Sequence, residues 1–204
     1  MVTDDVEQTG EAPIRQRILD AAFSAFAERG FAETSTLEIA KRAKASKREL
    51  YALVGRKQDM LVACITERAA RMRPPADLPV PGDREALAAL LAGFGERLLR
   101  EVTDPAVIAV FRLAIAEAEK APEIARSLES IGRAANRAAL REVLAKARDR
   151  RLLDGDPAAM ADRFTALLWG NLLVGLLLRV VEPPDPEESK RIAHDAATAL
   201  LRLH

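Results

Sequence analysis

One cysteine, one tryptophan, one tyrosine and no unbroken apolar run of membrane length occur in the 204 residues, and each scarcity removes a class of protein. Cys64 cannot form an internal disulfide, and with two histidines in the chain no Cys/His group stands at zinc-site spacing, so no metal is expected. A reducing, cytoplasmic setting fits that usage. The most apolar stretch, Ala166 to Leu178, is interrupted by Asn171 and closed by Arg179. It falls short of the ~20 residues of a membrane-spanning helix and reads as a buried helix, with no membrane partner. The acidic, polar opening over residues 1–12 lacks the apolar core of a secretory signal and reads as a flexible arm. A dominant charge sign is missing too. Lys and Arg number 31, Asp and Glu 31, which excludes a uniformly basic nucleic-acid coat but not a local basic patch. Catalytic signatures are absent: there is no Gly-rich phosphate loop, no G-x-S-x-G, no H-E-x-x-H, and no histidine near Cys64 in sequence. Neither an enzyme nor a cofactor is expected.

What is abundant is Ala, Leu, Glu and Arg, the side chains that lose least freedom in a helix, while aromatics make up only 4%. The expected class is all-α with about nine helices. Asp104-Pro105, Asp156-Pro157 and Asp185-Pro186 each set a carboxylate that can accept from free N–H groups before a proline suited to the first helical position. Helices are therefore expected from Pro105 to Lys120, Pro157 to Val181 and Pro186 to Leu203, with two more over about Arg84–Val102 and Pro122–Arg151. The run RPPADLPVPG holds four prolines in ten residues and cannot be helical throughout. It divides the chain into a flexible arm (1–12), an N-terminal domain (13–73), a linker (74–82) and a C-terminal domain (83–204).

In the N-terminal domain, Ile18, Leu19, Ala22, Phe23 and Phe26 recur at helical spacing before Gly30, a residue able to end a helix in the left-handed region. Ser35-Thr36-Leu37-Glu38 and Ser46-Lys47-Arg48-Glu49 are capping boxes opening two short helices about three residues apart. A fourth helix starts at Lys57, with Met60, Leu61, Cys64 and Ile65 on its inner side. From Lys41 to Lys57 there are seven basic residues and one acid, Glu49, a local surplus of six. That basic helix, turn and capped helix form the arrangement that sets a helix end into a major groove while its flanks neutralise phosphates. A solvated basic face, on a helical scaffold that docks protein partners, is the alternative.

The stretch ILDAAFSAFAERGFAETSTLEIAKRAKASKRELYALVGRKQDML, from Ile18 to Leu61, resembles the DNA-binding domain of the TetR family of bacterial transcriptional regulators. The resemblance rests on Phe26 with Glu28-Arg29-Gly30-Phe31, Thr34-Ser35, Ile39-Ala40, Ser46-Lys47, Leu50-Tyr51 and Gly55-Arg56-Lys57 in order. Lys44-Ala45 depart from the family's usual Gly-Val, so either Lys44 takes the turn conformation at some steric cost or the turn differs slightly; its side chain can add a phosphate contact. By resemblance and residue type, Lys47, Arg48 and Ser46 are candidates for base edges and nearby phosphate, and Tyr51 for a phosphate hydrogen bond. Thr34, Thr36 and Lys57 are candidates for backbone phosphate. Glu49 has two readings: it caps its own helix, or it accepts from a cytosine amino group.

The C-terminal portion is similar to the AefR-like subgroup, through VFRLAIAEAEKAPEIA and GDPAAMADRFTALLWGNLL. The resemblance implies a homodimer joined by the last two helices of each subunit, a double-stranded palindromic operator and a small-molecule effector, with repression the usual mode. Interface candidates are Leu172, Leu173, Leu176, Leu177, Ile192 and Leu200. For an apolar effector pocket the candidates are Phe94, Phe111, Phe164 and Trp169, with Arg112 and Asn171 as polar groups in apolar surroundings. Core packing is the competing reading of each.

Overall fold

A computed structural model describes residues 4–72, 81–119 and 122–204 of the chain. It is helical, without a strand among the described residues. The helices are α1 (Asp4–Glu33), α2 (Thr36–Ala43), α3 (Lys47–Leu53), α4 (Lys57–Met72), α5 (Arg84–Val102), α6 (Pro105–Ala116), α7 (Pro122–Ser127), α8 (Ala135–Asp149), α9 (Pro157–Trp169), α10 (Leu172–Leu178) and α11 (Pro186–Leu203). A π-helical segment, Leu128–Ala134, joins α7 to α8, where sequence periodicity predicts one continuous helix. The arm expected over residues 1–12 is, from Asp4 onward, the first part of α1. Most of the expected linker, residues 74–80, lies outside the described residues, as do residues 1–3.

Two compact units form. The first takes the chain up to Arg68 together with Pro105–Glu129, and the second takes Ala69–Asp104 with Ser130–His204. The expected division at the prolines assigned residues 105–129 to the C-terminal domain. Instead α6, whose twelve residues carry one charge, buries Val107, Ile108, Val110, Leu113 and Ala114 and packs on α1. An apolar helix of that kind must be covered, and α1 offers the cover.

Within the first unit, Ile18, Leu19, Ala22, Phe23 and Phe26 of α1 and Met60, Leu61, Cys64 and Ile65 of α4 are buried, as their spacing predicts. The Cys64 thiol donates to Leu19 O at 3.4 Å, and burial pushes it up to about 12. Gly30, at φ 80 and ψ 171, breaks the helical path of α1. Thr34 locks that break from the other side: its buried hydroxyl points at Gly30 O (2.6 Å) and Ala25 O (3.1 Å).

In the second unit α5 and α11 pack along each other, with α9 against α11 and α8. Their approach is close because the contact residues are small. A Cβ at Gly95 would lie 3.0 Å from Leu168 and 3.1 Å from Ala193. Asp156 and Asp185 cap α9 and α11 with proline at the helix start, as the Asp-Pro pairs predict. The helix expected from Pro157 to Val181 is two helices. Gly170, at φ 42 and ψ −121, lies between them, and the axis bends by 50°. Arg179 then ends α10 in the left-handed region, and Val181 folds back onto Gly175, where a Cβ would sit 2.7 Å from it. Both glycines thus serve the chain's own path. Among the described residues, no single helix is long and apolar enough to cross a membrane.

Candidate nucleic-acid interface

The basic block is held on the first unit by three buried side chains of α2, Ile39, Ala40 and Ala43, and one of α3, Leu50. Ser35 opens α2 by accepting from Glu38 N at 3.1 Å. Glu38 does not return the bond that a full capping box requires; its carboxylate goes to Arg42 at 2.7 Å and Arg29 at 3.2 Å. At the end of α2 the chain turns through Lys44, whose φ of 51° and ψ of 44° are left-handed, with Ala45 N donating back to Ala40 O at 3.0 Å. Ser46 starts α3 with both bonds of a capping box: Glu49 N donates to Ser46 Oγ at 3.1 Å, and Ser46 N donates to Glu49 Oε2 at 2.7 Å. The Ser46 hydroxyl beside the carboxylate and the bond from Ser46 N hold the Glu49 carboxyl below its ordinary range.

The seven cations of the block have different fates. Arg42 is bidentate to Glu28 on α1, with Nη1–Oε1 at 2.9 Å and Nη2–Oε2 at 2.8 Å, and these bonds hold the Glu28 carboxyl down at about 2. The Lys57 ammonium donates to Phe31 O at 2.7 Å, Thr34 O at 3.1 Å and Ala32 O at 3.3 Å, and lies 4.4 Å from the Phe31 ring centroid. Lys41, Lys44, Lys47, Arg48 and Arg56 are exposed and make no side-chain hydrogen bond or ion pair among the described residues. Tyr51 is 47% exposed, and its hydroxyl shares a hydrogen bond with Thr36 Oγ1 at 3.2 Å, so two hydroxyls from different helices meet at one place.

The expected phosphate set therefore divides. Lys44, Ser46, Lys47, Arg48, Tyr51 and Thr36 lie along the turn, α3 and the start of α2. Thr34 is 2% exposed with its proton committed to α1 carbonyls, and Lys57 is bound to three carbonyls, so both hold the frame instead of facing a ligand. Sequence order placed them beside the contact residues. What it did not reveal is that the carbonyls freed by the break at Gly30 need donors, and these two side chains supply them.

The candidate pocket residues are dispersed. Phe94 and Phe164 meet in the core of the second unit, ring centroids 6.5 Å apart. Trp169 is half-buried at the end of α9, Asn171 is exposed at the helix break, and Phe111 and Arg112 are half-buried in the first unit. An open groove of about 720 Å³ lies elsewhere, along α8 and the start of α9, lined by Ala135, Ala138, Arg141, Glu142, Pro157 and others; no expected pocket residue lines it. The interface set also divides. Leu176 and Leu200 are 3% and 0% exposed within a single chain, so they belong to its own core. Leu172, Leu173, Leu177 and Ile192 are half-buried. Among the described residues from α9 through the segment after α10, the exposed large apolar side chains are Leu167, Val174, Leu178, Val180 and Val181, which the expectation of a straight helix through Gly170 concealed.

Comparison with known families places this geometry. The profile described as "Bacterial regulatory proteins, tetR family" matches residues 18–64, and that described as "AefR-like transcriptional repressor, C-terminal domain" matches residues 89–203. The chain belongs to the TetR family. Solved TetR-family structures agree over nearly the whole length. A TetR transcriptional regulator from Agrobacterium tumefaciens is 27% identical, with 93% of each chain covered and a TM-score of 0.78. A flavonoid-responsive regulator, FrrA, is 27% identical over 93% of this chain and 96% of its own, with a TM-score of 0.70. A putative TetR-family regulator from Mesorhizobium loti, 23% identical over 95% and 97%, shares the fold with a TM-score of 0.76. No curated protein matches.

As a TetR-family regulator, the protein carries its DNA-binding helix-turn-helix in α1 to α4. The family's C-terminal region begins inside α5 and includes α6, although α6 packs with the first unit. One cation near the helix-turn-helix lies just outside the matched TetR segment. Arg17 of α1 donates through Nε to Ala43 O at 3.2 Å, at the end of α2. The only signal for it in the sequence is its place one residue before Ile18, on the rim of an otherwise buried stripe.

Proposed function

We propose that the protein binds a palindromic operator as a homodimer, represses transcription from it, and is released by a small apolar effector. The observation that carries the DNA contact is the set of exposed cations without protein partners, Lys44, Lys47 and Arg48, on the turn and first residues of α3, with the Thr36–Tyr51 hydroxyl pair beside them. Cations without internal partners can neutralise phosphates and release the counterions condensed on the duplex, which supplies affinity, while side chains on the first turn of a recognition helix supply sequence discrimination. Support for dimerisation is the exposed apolar set on and after α10, which one subunit leaves in water. Two reading heads related by a two-fold axis match an inverted repeat. Support for repression is the description of the family profile over residues 89–203. The similar regulator FrrA is flavonoid-responsive, which agrees with a small-molecule effector here. Such an effector acts only by binding one spacing of the two heads better than the other. The site of action is the chromosome in the bacterial cytoplasm.

The test is selection of bound duplexes from a random pool, followed by affinity measurements over a salt series. The expected result is an inverted repeat with half-sites about one helical turn apart, bound far more tightly than scrambled duplex at the same salt. A pool without enrichment, or equal binding to scrambled duplex, overturns the reading.

A further inference from the structure

The basic block contains one acid, and its position has a chemical consequence. Glu49 is exposed at the third position of α3, in the same turn as Lys47 and Arg48. Its Oε2 accepts from Ser46 N at 2.7 Å, which fixes the carboxylate at the head of the helix. Its Oε1 has no hydrogen-bond partner among the described residues. An ionised carboxylate brought against DNA is repelled by phosphate and by the N7, O6 and O4 acceptors of the major groove. Burial without a donor is costly. The base-edge groups that complement it are exocyclic amines. On adenine the amine stands beside the N7 acceptor, whereas on cytosine N4–H₂ is the hydrogen-bonding group presented to the major groove.

We infer that Glu49 is a specificity determinant of the reading head, capping α3 with Oε2 and accepting from a cytosine amino group with Oε1; this rests on the operator-binding reading above. A second feature makes an acid tolerable there. Arg17, anchored on Ala43 O at 3.2 Å, brings a positive charge from α1 to the turn before α3, and its attraction favours the ionised form of Glu49. That charge also offsets the repulsion between the carboxylate and flanking phosphates. The two readings of Glu49 in the sequence are thus compatible, because a carboxylate has two oxygens and the cap uses one.

Glu49→Gln separates the two roles. Glutamine also closes a capping box, so the fold is kept, but its amide carries a donor and suits adenine better than cytosine. In pool selections, the full-length wild type is expected to enrich cytosine at one fixed position of each half-site. Glu49→Gln should lose that preference and shift toward adenine there. Its affinity for the wild-type operator should fall roughly tenfold per half-site, with an unchanged melting temperature. Replacing that C·G pair by T·A should weaken the wild type by a similar factor and leave Glu49→Gln nearly unaffected. If Glu49→Gln enriches the same duplexes with the same affinity, Glu49 only caps its helix and the inference is overturned. If the wild type enriches nothing, the operator-binding reading fails and takes this inference with it.

Discussion

Replacing Lys57 by methionine separates two roles that a lysine at the head of α4 can play. In the structure its ammonium donates to the carbonyls of Phe31, Ala32 and Thr34, at 2.7, 3.3 and 3.1 Å, and sits over the Phe31 ring. A hydrogen bond to a charged group is worth about 1.5–3 kcal/mol, and a cation–π contact at an open site about 0.5–1 kcal/mol. These do not add, because one amine makes all of them, it is half-exposed, and its desolvation is shared. A net loss of about 2 kcal/mol is expected, which for a chain of 204 residues lowers the melting temperature by about 4–8 °C. Operator affinity should fall because the segment leading into α2 loosens, while the dependence on salt stays as in the wild type. A phosphate contact makes the opposite prediction: unchanged melting, and a log–log salt slope smaller by about 0.9 per site lost. Thermal unfolding by circular dichroism and fluorescence anisotropy on labelled operator over a salt series measure both quantities. A variant that melts like the wild type but has the smaller slope would refute the framing role.

Three further outcomes are expected. Leu178→Glu places a charge on an apolar side chain that is 67% exposed, and should give monomers of unchanged helicity in sedimentation at micromolar concentration; a dimer would remove α10 from the interface. Gly95→Ala forces a methyl group to within 3.0–3.3 Å of Leu168, Ala193 and Phe164, and should cost about 1–3 kcal/mol in urea unfolding, so an unshifted midpoint would contradict the close α5–α11 approach. Glu28 has its carboxyl lowered from 4.5 to about 2, chiefly by its bonds from Arg42. A lowered folded value stabilises above the unfolded one, so this contribution should be complete above about pH 4.5 and vanish as pH falls through about 2. The melting difference between wild type and Glu28→Gln should shrink over that window, and a difference independent of pH would contradict the pairing.

Sequence made the local structure legible wherever one residue's chemistry decides it. Ser46 with Glu49, Asp156 with Pro157 and Asp185 with Pro186 announce helix starts because capping is settled within four residues. Gly30 was readable as a break for the same reason, whereas the left-handed Lys44 was expected only through the family resemblance, with a differently shaped turn as the alternative. What stayed hidden depends on distant partners. Thr34 and Lys57 carry the residue types of phosphate ligands, but carbonyls on either side of the break at Gly30 claim them first. Gly170 sits in a run of helix formers, and its break is set by how α9 and α10 each pack. The 105–129 segment follows the prolines in order yet packs on α1, which periodicity along the chain cannot express. The aromatic side chains expected to line a pocket fared worst, since a buried ring pair such as Phe94 with Phe164 has the same sequence signature in a core as in a cavity.

Lys44 carries its charge at a backbone angle that a lysine adopts only with strain, of about 1–2 kcal/mol against glycine. On the proposed phosphate contact, stability and DNA affinity therefore pull that position in opposite directions. Under a screen for heat resistance alone, Lys44→Gly is among the first changes expected to be recovered, and it would emerge as a sturdier protein with a weaker grip. Passing the same library through a requirement for promoter control should restore a cation at the turn, so the residue found there records which demand was the stricter.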